Sequence, residues 1–326
     1  MNNCIIDSDK NQGKFIKMYP SNTMILKFVT NERMTSFRLG LLRTPTYPTN
    51  KELIGSYIWN QQMAACLYPL LQNLEVFLRN AIDNAARQVY GDFWWDNISC
   101  SRGNNFFFEN IRKAKERLKK EWEKQHPTTP VPRWSHDQIV AATEFSTWLY
   151  LFSQDFHQQG NQQSSSASRY LWPSLLGKVF QNWHLLNERS SKKALTKIRN
   201  SLEELKGYRN RIFHHEPTWL KAHPRMTPFL SLQTIQQKID KIAFIYSLIH
   251  NDVISYINDS YLLQRAYNHC QLVELEVMQG ILPISQKLTR GQRKVLKIPL
   301  AIMRENKPYY FLERNEILVM CKRKIK

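Results

Sequence analysis

Between Gly207 and Pro217 the chain reads Gly-Tyr-Arg-Asn-Arg-Ile-Phe-His-His-Glu-Pro, which sets Arg209, Asn210, Arg211, His214 and His215 within seven residues. Arginine binds phosphate with a fixed fork of donors, and histidine exchanges protons near neutral pH. Together they are the parts for cutting a phosphodiester without a metal or another cofactor. One imidazole can take a proton, its conjugate acid can give one back, and a guanidinium can hold the charge between them. Pro217 biases Glu216 away from the α region, so the helix carrying these residues should stop near His214 or His215. That ending matters, because on a regular helix Arg209 and His214, five apart, diverge by about 140°. They can converge where the last turn unwinds. Asn210 and His214, four apart, share a face in any case.

The residues upstream predict the element that positions this cluster. Ala194, Leu195, Ile198, Leu202, Leu205 and Tyr208 recur at steps of three and four, so a helix should run from about Ala194 to the histidine pair. Arg199, Glu203, Lys206 and Arg209 fall elsewhere on its surface. Arg209 and one histidine are the catalytic candidates, and Arg211 and Lys206 are candidate phosphate contacts, with a plain surface charge the alternative for Arg211. Asn210 can orient an imidazole, hold a phosphate oxygen, or cap neighbouring backbone. His215 rivals His214; its other reading is a helix-end residue whose ring bonds a free carbonyl or eases the helix dipole.

Glu75, Arg79 and Asp83 fall at four-residue steps on an earlier helix. They either form an intrahelical ion-pair ladder or, with Asn80, place Glu75 or Arg79 beside the cluster to set its charges, with Arg79 a further substrate contact. Glu144 stands in an apolar stretch, and burial there would demand a partner such as a motif arginine. Trp94, Trp95, Trp148 and Trp172 read as core anchors rather than base-stacking platforms.

Arg-Asn-x-x-x-His resembles the signature of HEPN ribonuclease domains. The longer Arg-Asn-Arg-Ile-Phe-His-His-Glu-Pro is similar to the Abi-like subfamily, the abortive-infection proteins of phage defence. Three further segments resemble that family in order: Leu74–Ile82 followed by Tyr90–Trp95, Ile139–Trp148, and Leu171–Leu176. The resemblance spans roughly 51–262. It implies an all-α, HEPN-like helical bundle and a homodimer whose two Arg/His helices meet in one cleft. It also implies RNA as substrate, a 2′,3′-cyclic phosphate product, and restraint by an antitoxin or a phage-derived trigger. A non-catalytic RNA-binding or regulatory module of the same fold is the rival expectation. The Gln/Ser-rich insertion and the basic tail are less typical of the family.

Composition agrees with a polyanion partner. The chain carries 46 Lys and Arg against 27 Asp and Glu, a formal charge of +19, which attracts nucleic acid. Apolar residues at 42% suffice for a core, and only 10 glycines argues for helix over sheet. The five cysteines are dispersed with no CxxC pair, as expected of free thiols in a cytoplasmic protein. No apolar run approaches the ~18 residues of a membrane span.

Three regions are expected: an N-terminal extension over 1–50, the helical domain over 51–262, and a basic segment over 263–326. Within them, one helical run from Lys51 to about Ala85 meets Pro69, which can break or kink it. A charged helix covers Glu109–Lys124. Ser135 and Gln138 form a capping box for a helix reaching about Phe152. Residues 154–168 read as a polar loop, and Ser231 as the cap of one long helix to Ile257. Tyr309–Leu312 and Ile317–Met320 alternate as strands of a small terminal hairpin.

Overall fold

The computed structural model describes residues 28–103, 105–158, 169–219, 226–281, 309–313 and 316–320. The fold is all-α. Eleven helices are found among the described residues: α1 (Asn31–Leu41), α2 (Asn50–Tyr90), α3 (Phe106–Gln125), α4 (His136–Ala141), α5 (Phe145–Tyr150), α6 (Leu176–Val179), α7 (Ser191–Phe213), α8 (Pro228–Ile249), α9 (Asn251–Asp259), α10 (Leu262–His269) and α11 (Leu272–Gln279). The expected hairpin forms from β1 (Tyr309–Glu313) and β2 (Glu316–Met320), antiparallel with Glu313 opposite Glu316. The basic patches at 289–294 and 321–326 and the Gln/Ser-rich stretch 159–168 lie outside the described residues.

The chain divides into two compact units, Met1–Gln61 with Lys221–Leu232 and Cys270–Lys326, and Gln62–Leu220 with Gln233–His269. In the first, α1 forms within the stretch read as an N-terminal extension, and the Thr30 hydroxyl caps it by accepting from the Arg33 amide. Phe37 and Leu41 are buried there. The start of α2 and α11 touch backbone to backbone at Gly55, where any Cβ would collide with the Met278 carbonyl. The Gln279 amide ties this contact together, donating at 2.8 Å to both the Leu41 carbonyl and the Ser56 hydroxyl.

In the second unit, α2 continues as a helix through Pro69, despite the amide bond that proline removes. Leu67, Leu70, Leu71, Leu74, Leu78 and Ile82 form its buried stripe. All four tryptophans read as anchors are buried. Trp94 stacks on Phe107 at 5.5 Å and Trp172 on Phe152 at 4.9 Å. Around Trp94 lies a polar knot that the sequence did not suggest. Asp83 accepts from Trp94 Nε1 at 2.7 Å and from His136 Nε2 at 2.8 Å, while His136 Nδ1 accepts the Phe93 amide at 3.0 Å. That fixes His136 as the Nε2–H tautomer and takes Asp83 out of any ladder with Glu75 and Arg79.

Several expected boundaries move for identifiable reasons. The Ser135–Gln138 capping box forms, but Glu144 turns extended (ψ 158) and divides the helix into α4 and α5. At the start of the expected polar loop, residues 154–156 form a short 3-10 turn that buries Asp155 and Phe156, with Asp155 accepting from Tyr150 Oη at 2.7 Å and Ser101 Oγ at 3.0 Å. Ser231 is not the cap of α8. Pro228 opens the helix, a position where its missing N–H costs nothing, and the Thr227 hydroxyl accepts the Leu230 amide. Ser231 is buried and donates to the Gly40 carbonyl at 2.6 Å. The long helix to Ile257 is two, because His250 leaves helical geometry and its Nδ1 caps α9 by accepting the Asp252 amide at 3.0 Å.

Candidate functional site

α7 forms where its apolar period predicts, burying Ala194, Leu195, Ile198, Leu202, Leu205, Tyr208 and Ile212. Two contacts from α8 fix its orientation: Lys238 and Lys241 both pair with Glu204. Burial pushes the Glu204 carboxyl up, but the bonds from the two lysines outweigh it and leave it below the usual carboxylate range. Tyr208 Oη donates to the Thr218 carbonyl at 2.7 Å and returns the chain against the helix end.

The end itself is a Schellman turn. His214 keeps a helical bond, its amide reaching the Asn210 carbonyl at 2.9 Å. The His215 amide then bonds Ile212 at 3.0 Å and the Glu216 amide bonds Arg211 at 2.9 Å. His215 occupies the left-handed position at φ 57, a place usually given to glycine. α11 ends on a glycine in that conformation, Gly280 at φ 68. Since the helix does not unwind before His214, Arg209 and His214 keep the angular separation of about 140° that a regular turn imposes. Asn210, Phe213, His214 and His215 are exposed.

Arg209 turns toward α2. Its guanidinium pairs with Glu75 at 3.0 Å and lies over the Phe213 ring, 4.6 Å from the centroid. Tyr68 also packs against Phe213, with ring centroids 5.1 Å apart. The side chains of Arg209 and Glu75 are 29% and 20% exposed, so the pair is shielded yet reachable. Glu75 thus lies beside α7 rather than in an ion-pair ladder along α2; Arg79 instead reaches Asn80 at 3.4 Å. Tyr68 and Phe213 were missed, although both follow from spacing: Tyr68 is seven residues before Glu75, and Phe213 four after Arg209.

The remaining candidates separate from this group. Arg211 is more than a plain surface charge. It folds back, donating to the carbonyls of Pro217 (3.2 Å) and Trp219 (2.8 Å), with Glu216 at 3.2 Å. Lys206 lies 3.7 Å from Glu203 on its own helix. Glu144 is exposed at the start of α5, with Ser146 at 3.4 Å, and therefore needs no arginine partner.

The end of α7 thus exposes two imidazoles and an amide, while Arg209 is braced by a carboxylate and an aromatic ring. The model of the Abi-like protein family matches residues 31–220, and the chain belongs to that family. No curated protein and no solved structure matches it. Among the described residues no helix is long and apolar enough to cross a membrane.

Proposed function

We propose that this protein is a metal-independent endoribonuclease of the HEPN type, acting as an abortive-infection or toxin-like effector. The observation that carries this reading is Arg209, held by Glu75 and Phe213 on the same final stretch of α7 that leaves His214 and His215 exposed. In the reaction an imidazole removes the proton of an RNA 2′-hydroxyl, and the 2′-oxygen attacks the adjacent phosphorus. An imidazolium then delivers a proton to the departing 5′-oxygen, leaving a 2′,3′-cyclic phosphate. Arg209 stabilises the charge that builds on the phosphoryl oxygens between these steps. Glu75 engages the guanidinium at one nitrogen, and a guanidinium has five N–H donors. Its other donors have no partner among the described residues.

The helical separation of Arg209 from His214 favours a site completed by a second copy of the chain, so that the arginine of one protomer serves the histidine of the other. A +19 chain would hold RNA through its backbone and in a salt-dependent way. The test is incubation of the protein with total RNA in excess EDTA, beside His214→Ala and His215→Ala variants of equal fold and assembly state. Cleavage that one substitution abolishes supports the reading and identifies the histidine. Equal cleavage by all three, or binding without cleavage, favours the RNA-binding module instead.

A further inference from the structure

Two aromatic rings stand where the core does not need them. On α2 the buried stripe runs through Leu67, Leu70, Leu71 and Leu74. Tyr68 falls off it, on the outer line with Ala65 and Gln72, and is 43% exposed. On α7 the buried stripe ends at Tyr208 and Ile212, and Phe213 lies beyond it, 42% exposed. The two rings nonetheless meet across the helices, tilted by 39° with centroids 5.1 Å apart. Single exposed aromatics need no explanation, but a joined pair is an apolar surface left open to solvent. The Tyr68 hydroxyl has no hydrogen-bond partner among the described residues, so packing on Phe213, not a polar anchor, sets that ring in place.

Beside the pair stands a charged group. The Arg209 guanidinium lies 4.6 Å from the Phe213 centroid, and Glu75 engages it at one nitrogen, which leaves N–H donors for an anion. A donor fork and an aromatic surface on one patch are the two halves of nucleotide recognition: the guanidinium serves the phosphate and the rings serve the base. A second copy of the chain is less suited to these rings. Covering them with protein would also desolvate the Arg209–Glu75 pair, a cost avoided by a stacked base that leaves the rim in water. The charge of +19 moreover repels a like chain and draws a polyanion.

We propose that Tyr68 and Phe213 form a platform on which one RNA base stacks while its phosphate lies against Arg209, so that the protein takes RNA where it is single-stranded. The substrate in this proposal rests on the ribonuclease reading. A base inside a duplex is paired and stacked between its neighbours, and reaches a protein ring only if it is flipped out; loops and ends offer it freely. Every base has a π-face, so the platform selects for an unpaired nucleotide and not for a sequence. Tyr68 and Phe213 thereby decide which RNA is taken and have no part in the proton transfers.

The test uses the full chain and a single-stranded 2′-O-methyl oligouridylate, which has no free 2′-hydroxyl and stays intact. Its 5-iodouridine form, on irradiation, joins to an aromatic ring stacked on the base. Crosslinking at Tyr68 or Phe213 is expected, located by mass spectrometry of the digested protein. At fixed salt, affinity should fall about five- to a hundredfold in Tyr68→Leu, the loss of one base stack. It should stay within about twofold in Tyr68→Phe, which keeps the ring. Pairing the strand with its complement should remove the crosslinks to both rings. Crosslinks only at other residues, a leucine variant that binds as the parent does, or a duplex crosslinked as well as the single strand overturns the proposal. A Tyr68→Leu variant that loses a dimer and keeps its RNA affinity also overturns it, and gives the rings to a second copy. Because the probe cannot be cleaved, the two readings fail separately. Stacking without cleavage of total RNA would sink the ribonuclease reading alone, and cleavage without stacking would sink the platform alone.

Discussion

Glu75 on α2 and Arg209 on α7 pair at 3.0 Å across two helices, although Arg79 lies only four residues from Glu75 on the same helix. On the proposed function, a carboxylate beside this arginine does two opposed things: it aligns the guanidinium, and it repels the polyanion. Glu75→Gln should therefore bind RNA more tightly while cleaving it more slowly, by about ten- to a hundredfold if alignment is lost. Arg209→Lys should not restore activity, because an ammonium lacks the fork. Separate measurement of RNA affinity and single-turnover cleavage decides this, and parallel changes in both would remove the alignment role.

The two histidines should part company on substitution. His215 holds a left-handed conformation that glycine adopts without strain, so His215→Gly should raise stability by about 0.5–1 kcal/mol. His214→Ala should leave stability nearly unchanged and slow cleavage at least about a hundredfold. Thermal unfolding beside cleavage in EDTA gives both numbers; loss of activity in the glycine variant alone would transfer the catalytic role to His215.

Arg211 binds two carbonyls beyond the helix end, so truncation to alanine leaves them without a donor. We expect a loss of about 1–3 kcal/mol, with lysine a poor substitute because it cannot span both. Denaturant unfolding measures it. RNA affinity of the folded fraction should change little.

Asp83→Ala should cost more, about 3–5 kcal/mol, since it strands both Trp94 Nε1–H and His136 Nε2–H in the core. Chemical unfolding checks the magnitude. Cleavage per folded molecule should persist, because this knot shares no side chain with the Arg209 cluster.

The pH response of stability should trace partly to His157. Burial holds its folded pKa below the unfolded value, so as pH falls through that value the unfolded chain takes up the proton first and stability is lost. His157→Gln should lose less stability than the parent between about pH 7.5 and about pH 5.5. Urea midpoints at the two values test it; equal losses would show that His157 does not contribute.

The extent of α7 was legible because its apolar residues keep one period from Ala194 to Tyr208 and the motif ends at a proline. The divisions at Glu144 and His250 were not, because apolar spacing continues across both: Ile249, Val253 and Ile257 would sit equally well on one helix. What decides at His250 is a single imidazole accepting an amide two residues on. Within the site, Arg209 and Arg211 are chemically identical from sequence. Only the returning segment at Pro217 and Trp219 turns one inward and leaves the other to Glu75. Glu75 likewise had two arginines within reach, and packing of α7 on α2 selected the distant one.

α7 is also a mechanical member. Its 23 residues at about 1.5 Å each make a rod about 34 Å long, with His157 beside its first turn and Arg209 on its last full turn. A rod of this kind resists shortening but can roll about its axis. A roll imposed at one end would carry Arg209 through the same angle at the other, and Glu75, fixed on α2, is the stop against which that rotation would be felt.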